Sequence, residues 1–211
     1  DIGRWNTTSV TDMIYMFFSA TSFNQNLNQW ITTNVTDMES MFESATAFNG
    51  DIKNWDTTNV TTFEYMFVDA TAFNQDIGGW KTNNVTNMNG MFGNATSFNQ
   101  DLSRWQTANV TTMQGLFSNT AFNHDISGWN VGSVTTMNDM FAKSPFNQDI
   151  SRWNVSNVGS FDKMFDGNTA FDQEIRGWQV SNTASLSDMF LGTTAFSATY
   201  GGATGFGTTP T

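Results

Sequence analysis

Residues 30–55 read W-I-T-T-N-V-T-D-M-E-S-M-F-E-S-A-T-A-F-N-G-D-I-K-N-W, from one tryptophan to the next, and the chain keeps rewriting this stretch. Tryptophan stands at Trp5, Trp30, Trp55, Trp80, Trp105, Trp129, Trp153 and Trp178 and nowhere else, at steps of 25, 25, 25, 25, 24, 24 and 25 residues. A fixed period of this size marks a solenoid, in which a small unit that cannot bury its apolar side alone stacks on copies of itself.

Position by position the unit resolves into columns. The twelfth residue after each Trp is Phe, from Phe17 and Phe42 to Phe190, preceded by Met or by Leu116. Eight after Trp stands Met, Phe or Leu, and all 12 methionines fall in these two columns. A second Phe column runs from Phe23 and Phe48 to Phe196, and Ile or Leu precedes each following Trp by three, from Leu27 to Ile175. Stacked, such columns become continuous apolar ribs, with about seven core side chains per unit. Met in these ribs fills gaps between aromatic rungs.

Val35, Met38, Met41 and Phe42 are spaced as one face of a short helix, with Thr36 and Glu39 placed as a capping box. Ile150, Trp153 and Val155 point to a short strand, with Trp and Val on one side. We therefore expect an α/β solenoid, a leucine-rich-repeat-like right-handed stack of about eight 24–25-residue units, each a short strand plus a short helix. At roughly 4.8 Å per rung it would be about 35–40 Å long. Residues 1–196 should form one repeat domain, and 197–211, rich in Gly and Thr, an end or linker. The 24-residue steps arise where Ala95-Thr96-Ser97-Phe98 shortens to Thr120-Ala121-Phe122 and again at Ser144-Pro145-Phe146, which marks that stretch as a loop. The chain opens in mid-repeat at Asp1, so we expect a fragment or processed product with its cap and any targeting segment elsewhere.

The net charge is −11, which argues against nucleic acid and against docking on anionic lipid. There is no Cys, so disulfides and thiolate metal sites are excluded. No apolar run is long enough for a transmembrane helix, and no direct membrane insertion of this segment is expected.

The pattern V-T-x-M-x-x-M-F-x-x-A-x-x-F-N-x-D-I-x-x-W, covering residues 1 to about 196, resembles the bacterial surface-protein repeat called BspA-like or DUF285. It is similar in order to the BspA leucine-rich repeat. It departs in carrying Trp where the relative has Ile or Leu, in lacking the Cys, and in the last unit, where Thr183 stands in the Val column. The resemblance implies secreted or surface-anchored proteins of bacteria and some protists, associated with adhesion or with no defined role, and it brings no catalytic residues.

Several columns could carry chemistry. The carboxylates Asp51, Asp76, Asp101, Asp125 and Asp149 could bind Ca²⁺, but F-N-Q-D-I supplies one carboxylate per unit and no Gly-rich loop, which favours an Asx-turn role and no metal. The Asn column from Asn24 to Asn147 should satisfy backbone groups at a corner. The residue after each Trp changes from unit to unit: Asn6, Ile31, Asp56, Lys81, Gln106, Asn130, Asn154 and Gln179. Flanked by Arg104 and Arg152, this row is the candidate binding face, although Arg4, Arg104 and Arg152 each follow an Asp by three residues and could form local ion pairs. Asn34, Asn59, Asn84 and Asn109 lie in N-V-T sequons that could accept N-glycans. Thr pairs such as Thr7-Thr8, Thr32-Thr33 and Thr57-Thr58 invite an ice-binding reading, which the break at Thr82-Asn83 weakens. His124 is the single histidine, in a column of Gln and Gly, and no nucleophile elbow, phosphate loop or paired metal ligands occur.

The expectation is therefore a non-enzymatic extracellular or cell-surface repeat protein without a cofactor. Its partner would be a protein or glycan on another surface. The alternative is a structural subunit of a filament or surface layer, whose partner would be further copies of itself.

Overall fold

The structure, a computed structural model, describes residues 2–200. Among the described residues the one α-helix is α1, Thr194–Tyr200, and the β-structure consists of isolated parallel bridges. They run Asp12↔Asp37↔Thr62↔Asn87↔Thr112↔Thr136↔Ser160↔Ser185. Each bridge residue lies seven after a tryptophan, so equivalent residues of successive repeats sit side by side. We call each repeat a coil and name it by its tryptophan.

Turns build each coil. In the Trp30 coil the N–H of Trp30 donates to the carbonyl of Leu27, Val35 to Thr32, Met41 to Met38, Glu43 to Ser40, Ala45 to Phe42 and Phe48 to Ala45, all at 2.9–3.3 Å. Each is a residue i+3 donating to residue i, the bond of a β-turn. The apolar turn ends Leu27, Trp30, Val35, Met38, Met41, Phe42, Ala45 and Phe48 are all buried. A chain of turns thus points every third or fourth side chain inward, the same spacing a helix face would give.

The short helix expected over 35–42 is therefore absent, for two physical reasons. First, the N–H groups of Met38, Ser40, Phe42 and Ser44 donate to the carbonyls of Thr62, Glu64, Met66 and Val68 in the next coil at 2.7–3.4 Å, so none serves an intrahelical bond. Second, Ser40 and Ser44 have φ of 52° and 59°, in the left-handed region, which ends a right-handed helical run. Positive φ recurs ten and fourteen residues after every Trp, from Tyr15 and Ser19 to Asp188 and Gly192. The expected capping box does not form: the Thr36 hydroxyl bonds the Thr11 carbonyl at 3.2 Å, continuing a ladder through Thr61, Thr86 and Thr111.

No strand forms around the tryptophans either, although the in–out–in alternation is present. Trp80 and Thr82 are buried and Lys81 between them is exposed. Here side chains link the coils in place of a main-chain ladder. Thr57 Oγ1 donates to the Lys81 carbonyl and accepts from the Lys81 N–H, both at 2.8 Å. Thr7 and Thr82 treat Ile31 and Gln106 in the same way. In the last three coils Val131, Val155 and Val180 take this buried place.

The core is a set of aromatic columns. Phe42 and Phe48 stack at 3.8 Å within their coil, as do Phe67 and Phe73 in the next. Trp30, Trp55 and Trp80 lie nearly parallel at 6.3 and 6.1 Å between centroids. Each indole also reaches one coil back: Trp55 Nε1 donates to the Leu27 carbonyl at 2.9 Å, and Trp80 Nε1 to that of Ile52. A buried indole N–H therefore has its partner, as it must.

The two short steps are closed by hydroxyls. Thr120 Oγ1 donates to the Phe117 carbonyl and accepts from the Phe122 N–H, and Ser144 does the same between Phe141 and Phe146. At the far end α1 carries Phe196 into the core, so the helix crosses the expected boundary at 196: residues 197–200 continue the packed unit. The rest of the expected linker, 201–211, lies outside the described residues. No helix among the described residues is long and apolar enough to cross a membrane.

Candidate functional site

The residue after each tryptophan is exposed in every coil: Asn6, Ile31, Asp56, Lys81, Gln106, Asn130, Asn154 and Gln179. The row is laid out by its neighbours, since the tryptophan and the Thr or Val on either side are pinned inward in coils two to eight. Half of it is spent locally. The Oδ1 atoms of Asn6, Asp56, Asn130 and Asn154 accept the N–H groups of Thr8, Thr58, Gly132 and Ser156 at 3.0–3.2 Å. Hydrogen bonds from the Thr58 hydroxyl and N–H hold the Asp56 carboxyl below its ordinary range. Ile31, Lys81, Gln106 and Gln179 have no such turn, and Ile31 is 47% exposed.

Two of the flanking arginines fall in different settings. Arg104 joins Lys81, Gln106, Asn83, Gly78 and Gly79 around a shallow depression of about 130 Å³. Arg152 lies farther along, with Asp125, Ser127, Gln148 and Asp149 around a second one of about 250 Å³. The expected local ion pairs of Arg104 and Arg152 are not formed, and that of Arg4 involves Asp1, which lies outside the described residues; among the described residues the ion pair is Arg176–Glu174, where only one residue separates the partners. The Arg176 guanidinium also lies 4.7 Å over the Tyr200 ring of α1.

The acidic column does turn chemistry. The carboxylates of Asp51, Asp76, Asp101, Asp125 and Asp149 accept the N–H two residues on, from Lys53, Gly78, Ser103, Ser127 and Ser151, at 2.8–3.1 Å. Those backbone bonds, helped by the serine hydroxyls, lower the carboxyls of Asp101, Asp125 and Asp149. No three His, Cys, Asp or Glu side chains among the described residues gather as a metal-holding group. The Asn column bonds the backbone one coil on: Asn24 Oδ1 accepts from the Asn49 N–H, Asn49 from Asn74, Asn74 from Asn99, Asn99 from Asn123 and Asn123 from Asn147, at 2.8–3.0 Å.

The sequon asparagines Asn34, Asn59, Asn84 and Asn109 are exposed, and each donates Nδ2 to a carbonyl of the preceding coil, of Thr8, Thr33, Thr58 and Asn83 respectively. The Thr pairs do not make a flat surface array for ice, because the first Thr of each is buried: Thr7, Thr32 and Thr57. His124 bonds the Asn99 carbonyl at 3.0 Å.

Three large aromatic side chains stand outside these rows. Tyr15, Phe18 and Tyr65 stand 53%, 47% and 38% exposed on the turn side of the first three coils. Tyr15 and Tyr65 occupy the left-handed position ten after Trp, with φ of 55° and 53°. A bulky residue there costs about 1–2 kcal/mol relative to the right-handed conformation. The visible signal was a pair of tyrosines in a column where other coils carry Gly90, Gly115 or Ser40.

No curated protein and no solved structure matches the chain. The model of one family, described as "Mycoplasma protein of unknown function, DUF285", matches it in three overlapping stretches, residues 1–105, 48–146 and 94–202. The chain, rung by rung from its first tryptophan to its last, belongs to the DUF285 family.

Proposed function

We propose that the chain is a non-enzymatic extracellular or cell-surface scaffold that binds a protein or glycan on another surface. The stack is read as a right-handed solenoid of the leucine-rich-repeat kind, with turns in the place of helices. One observation carries the binding reading: the row after the tryptophans is exposed in every coil and varies in chemistry, between two columns that barely vary. A rigid frame with a variable row is how repeat proteins present extended recognition surfaces. The Lys81, Arg104 and Gln106 cluster is the best-equipped part of that row, with two cations and an amide around one depression.

The test uses the chain immobilised against panels of purified glycans and of surface proteins from cells. A ligand should be found whose binding falls when Lys81, Arg104 and Gln106 are replaced together by Ser. Binding that survives this triple change and the additional loss of Ile31 and Gln179 would overturn the reading.

A second reading, a subunit of a filament or layer, has its own support. The carbonyls of Asp37, Glu39, Met41 and Glu43 accept N–H groups from the coil before, whereas those of Asp12, Ile14, Met16 and Phe18 have no such donor among the described residues. A further coil, of this chain or of another copy, would pair with them. Light scattering that shows growing linear assemblies at rising concentration would favour this reading over the first.

A further inference from the structure

The exposed aromatic surface of the first three coils is separate from the row beside the tryptophans and does not depend on the function proposed for it. Its parts touch. The Tyr15 and Phe18 rings meet edge to face at 5.4 Å. The Tyr15 hydroxyl lies 3.4 Å from Glu39 Oε1. The adjacent Glu64 accepts from Asn89 Nδ2 at 2.9 Å, and the same amide donates to the Tyr65 hydroxyl at 2.8 Å. The tyrosines are thus two coils apart, roughly 10 Å at about 4.8 Å per rung, with half-buried Glu39 in the coil between them and half-buried Glu64 beside Tyr65 in its own coil.

Two observations identify what such a surface would hold. The first is charge. Residues 12–19, 37–44 and 62–69, the turn sides of these three coils, contain six carboxylates and no Lys, Arg or His. Burial, followed by the negative charges of Glu64 and Asp37, pushes the Glu39 carboxyl above its ordinary range. A cation placed there would relieve that repulsion. The second is the aromatic choice itself. A Cβ added at Gly90 would stand 2.6 Å from Tyr65 Cδ1, so the ring is laid against the glycine backbone of the next coil. The ring is held by its neighbour coil and still remains more than a third exposed. Tyrosine is kept there although Ser40, in the coil between, shows that a small residue suffices for the turn.

We propose that Tyr15, Phe18 and Tyr65, with Glu39 in the coil between the tyrosines and Glu64 beside Tyr65, form a docking surface for an extended polypeptide segment bearing Lys or Arg side chains. The cationic heads lie over the tyrosine rings and against the carboxylates, and their apolar stems cover Phe18. Aromatic rings attract cations through their faces, and the neighbouring carboxylates add charge. A polyproline II segment advances about 3.1 Å per residue and returns every third side chain to one face, so basic residues three apart would reach the two tyrosines together.

The test is fluorescence anisotropy with a labelled ten-residue Lys/Arg peptide. Controls are a Gly/Ser peptide of equal length and a neutral gluco-oligosaccharide. The basic peptide should bind, and binding should weaken with added salt. Tyr15→Ser with Tyr65→Ser should weaken it about tenfold while the thermal transition is kept, since two aromatic–cation contacts are lost. Should that pair unfold the stack, Glu39→Gln with Glu64→Gln supplies the same readout without touching the turns. Because the whole chain is acidic, the deciding control is Asp101→Asn with Asp125→Asn, which removes the same charge from another column. Equal weakening by this control would overturn the proposal. Salt-independent binding of the oligosaccharide in preference to the peptide would overturn it as well.

Discussion

Trp80 Nε1 donates to the carbonyl oxygen of Ile52, 28 residues earlier and one coil back, at 3.3 Å. The indole is 3% exposed and stacks on Trp55 at 6.1 Å. One side chain therefore fills the core, continues a column and satisfies a carbonyl of the adjacent coil. Trp80→Ala should destabilise by about 3–5 kcal/mol, the usual range for deleting a buried aromatic. Trp80→Phe keeps an aromatic ring in the column but removes one of the two bonds to the Ile52 carbonyl, which still accepts the Trp55 N–H at 3.2 Å. It should therefore cost less than Trp80→Ala, about 0.5–1.5 kcal/mol for the lost hydrogen bond. Chemical denaturation of both variants measures this; an unchanged midpoint for Trp80→Ala would refute the column.

The Asn column gives a second test. Asn74 Oδ1 accepts the Asn99 N–H and Gln100 Nε2, both at 2.9 Å. Asn74→Ala removes the acceptor for a half-buried corner and should cost about 1–3 kcal/mol. Asn74→Asp keeps an acceptor oxygen for both donors and should retain more of the stability than Asn74→Ala. Thermal melts of the two variants should separate clearly.

Left-handed turn positions supply a third. Lys143 has φ of 54°, and the equivalent residues of the next two coils are Gly167 and Gly192, at 66° and 73°. Lys143→Gly should be neutral or stabilising by up to about 1 kcal/mol, since glycine carries no penalty in this region. Gly167→Val should destabilise by about 1–2 kcal/mol or more, because a branched residue is forced left-handed. Its Cβ would also lie 3.2 Å from Lys143 Cγ. Opposite signs in the two melts are the expected outcome.

These positions also explain what the sequence disclosed and what it withheld. The stack, its register and its core columns were legible because identical side chains recur at one period, and Leu27, Trp30, Val35 and Phe42 are all buried. The elements within a coil were not. Spacings of three, as in Val35, Met38 and Met41, arise from a helix face and equally from successive β-turns. The distinguishing clue was the pair of columns ten and fourteen after Trp, where Gly90, Gly115, Asn94, Asn119 and Gly167 are residue types that accept positive φ. The candidate row was legible as an outward position, flanked by Trp and Thr. That Asn6, Asp56, Asn130 and Asn154 spend their acceptors on their own turns depends on local geometry that the alternation does not encode.

Acid titration tests the carboxylate column, and its sign can be worked out. Backbone N–H bonds lower the folded-state carboxyls of Asp101, Asp125 and Asp149, so these groups favour folding when ionised. Their contribution is fully present above the unfolded Asp range, near about pH 4, and is lost as pH falls through the lowered folded values. Replacing all three by Asn keeps the turn bond, because Asn26 Oδ1 accepts the Asn28 N–H at 2.8 Å in the same column. The triple variant should therefore melt close to the parent at pH 7 and lose less stability between about pH 4 and pH 2. Glu39 works in the opposite sense: burial raises its carboxyl, so the folded state holds its proton more tightly than the unfolded chain. Glu39→Gln should raise the melting temperature at pH 7, with the gain shrinking as pH falls through the raised folded value towards about 4. Melting temperatures of parent and variants across this range check both signs, and an acid limb of unchanged slope in the Asn variant would show that the column does not govern acid stability.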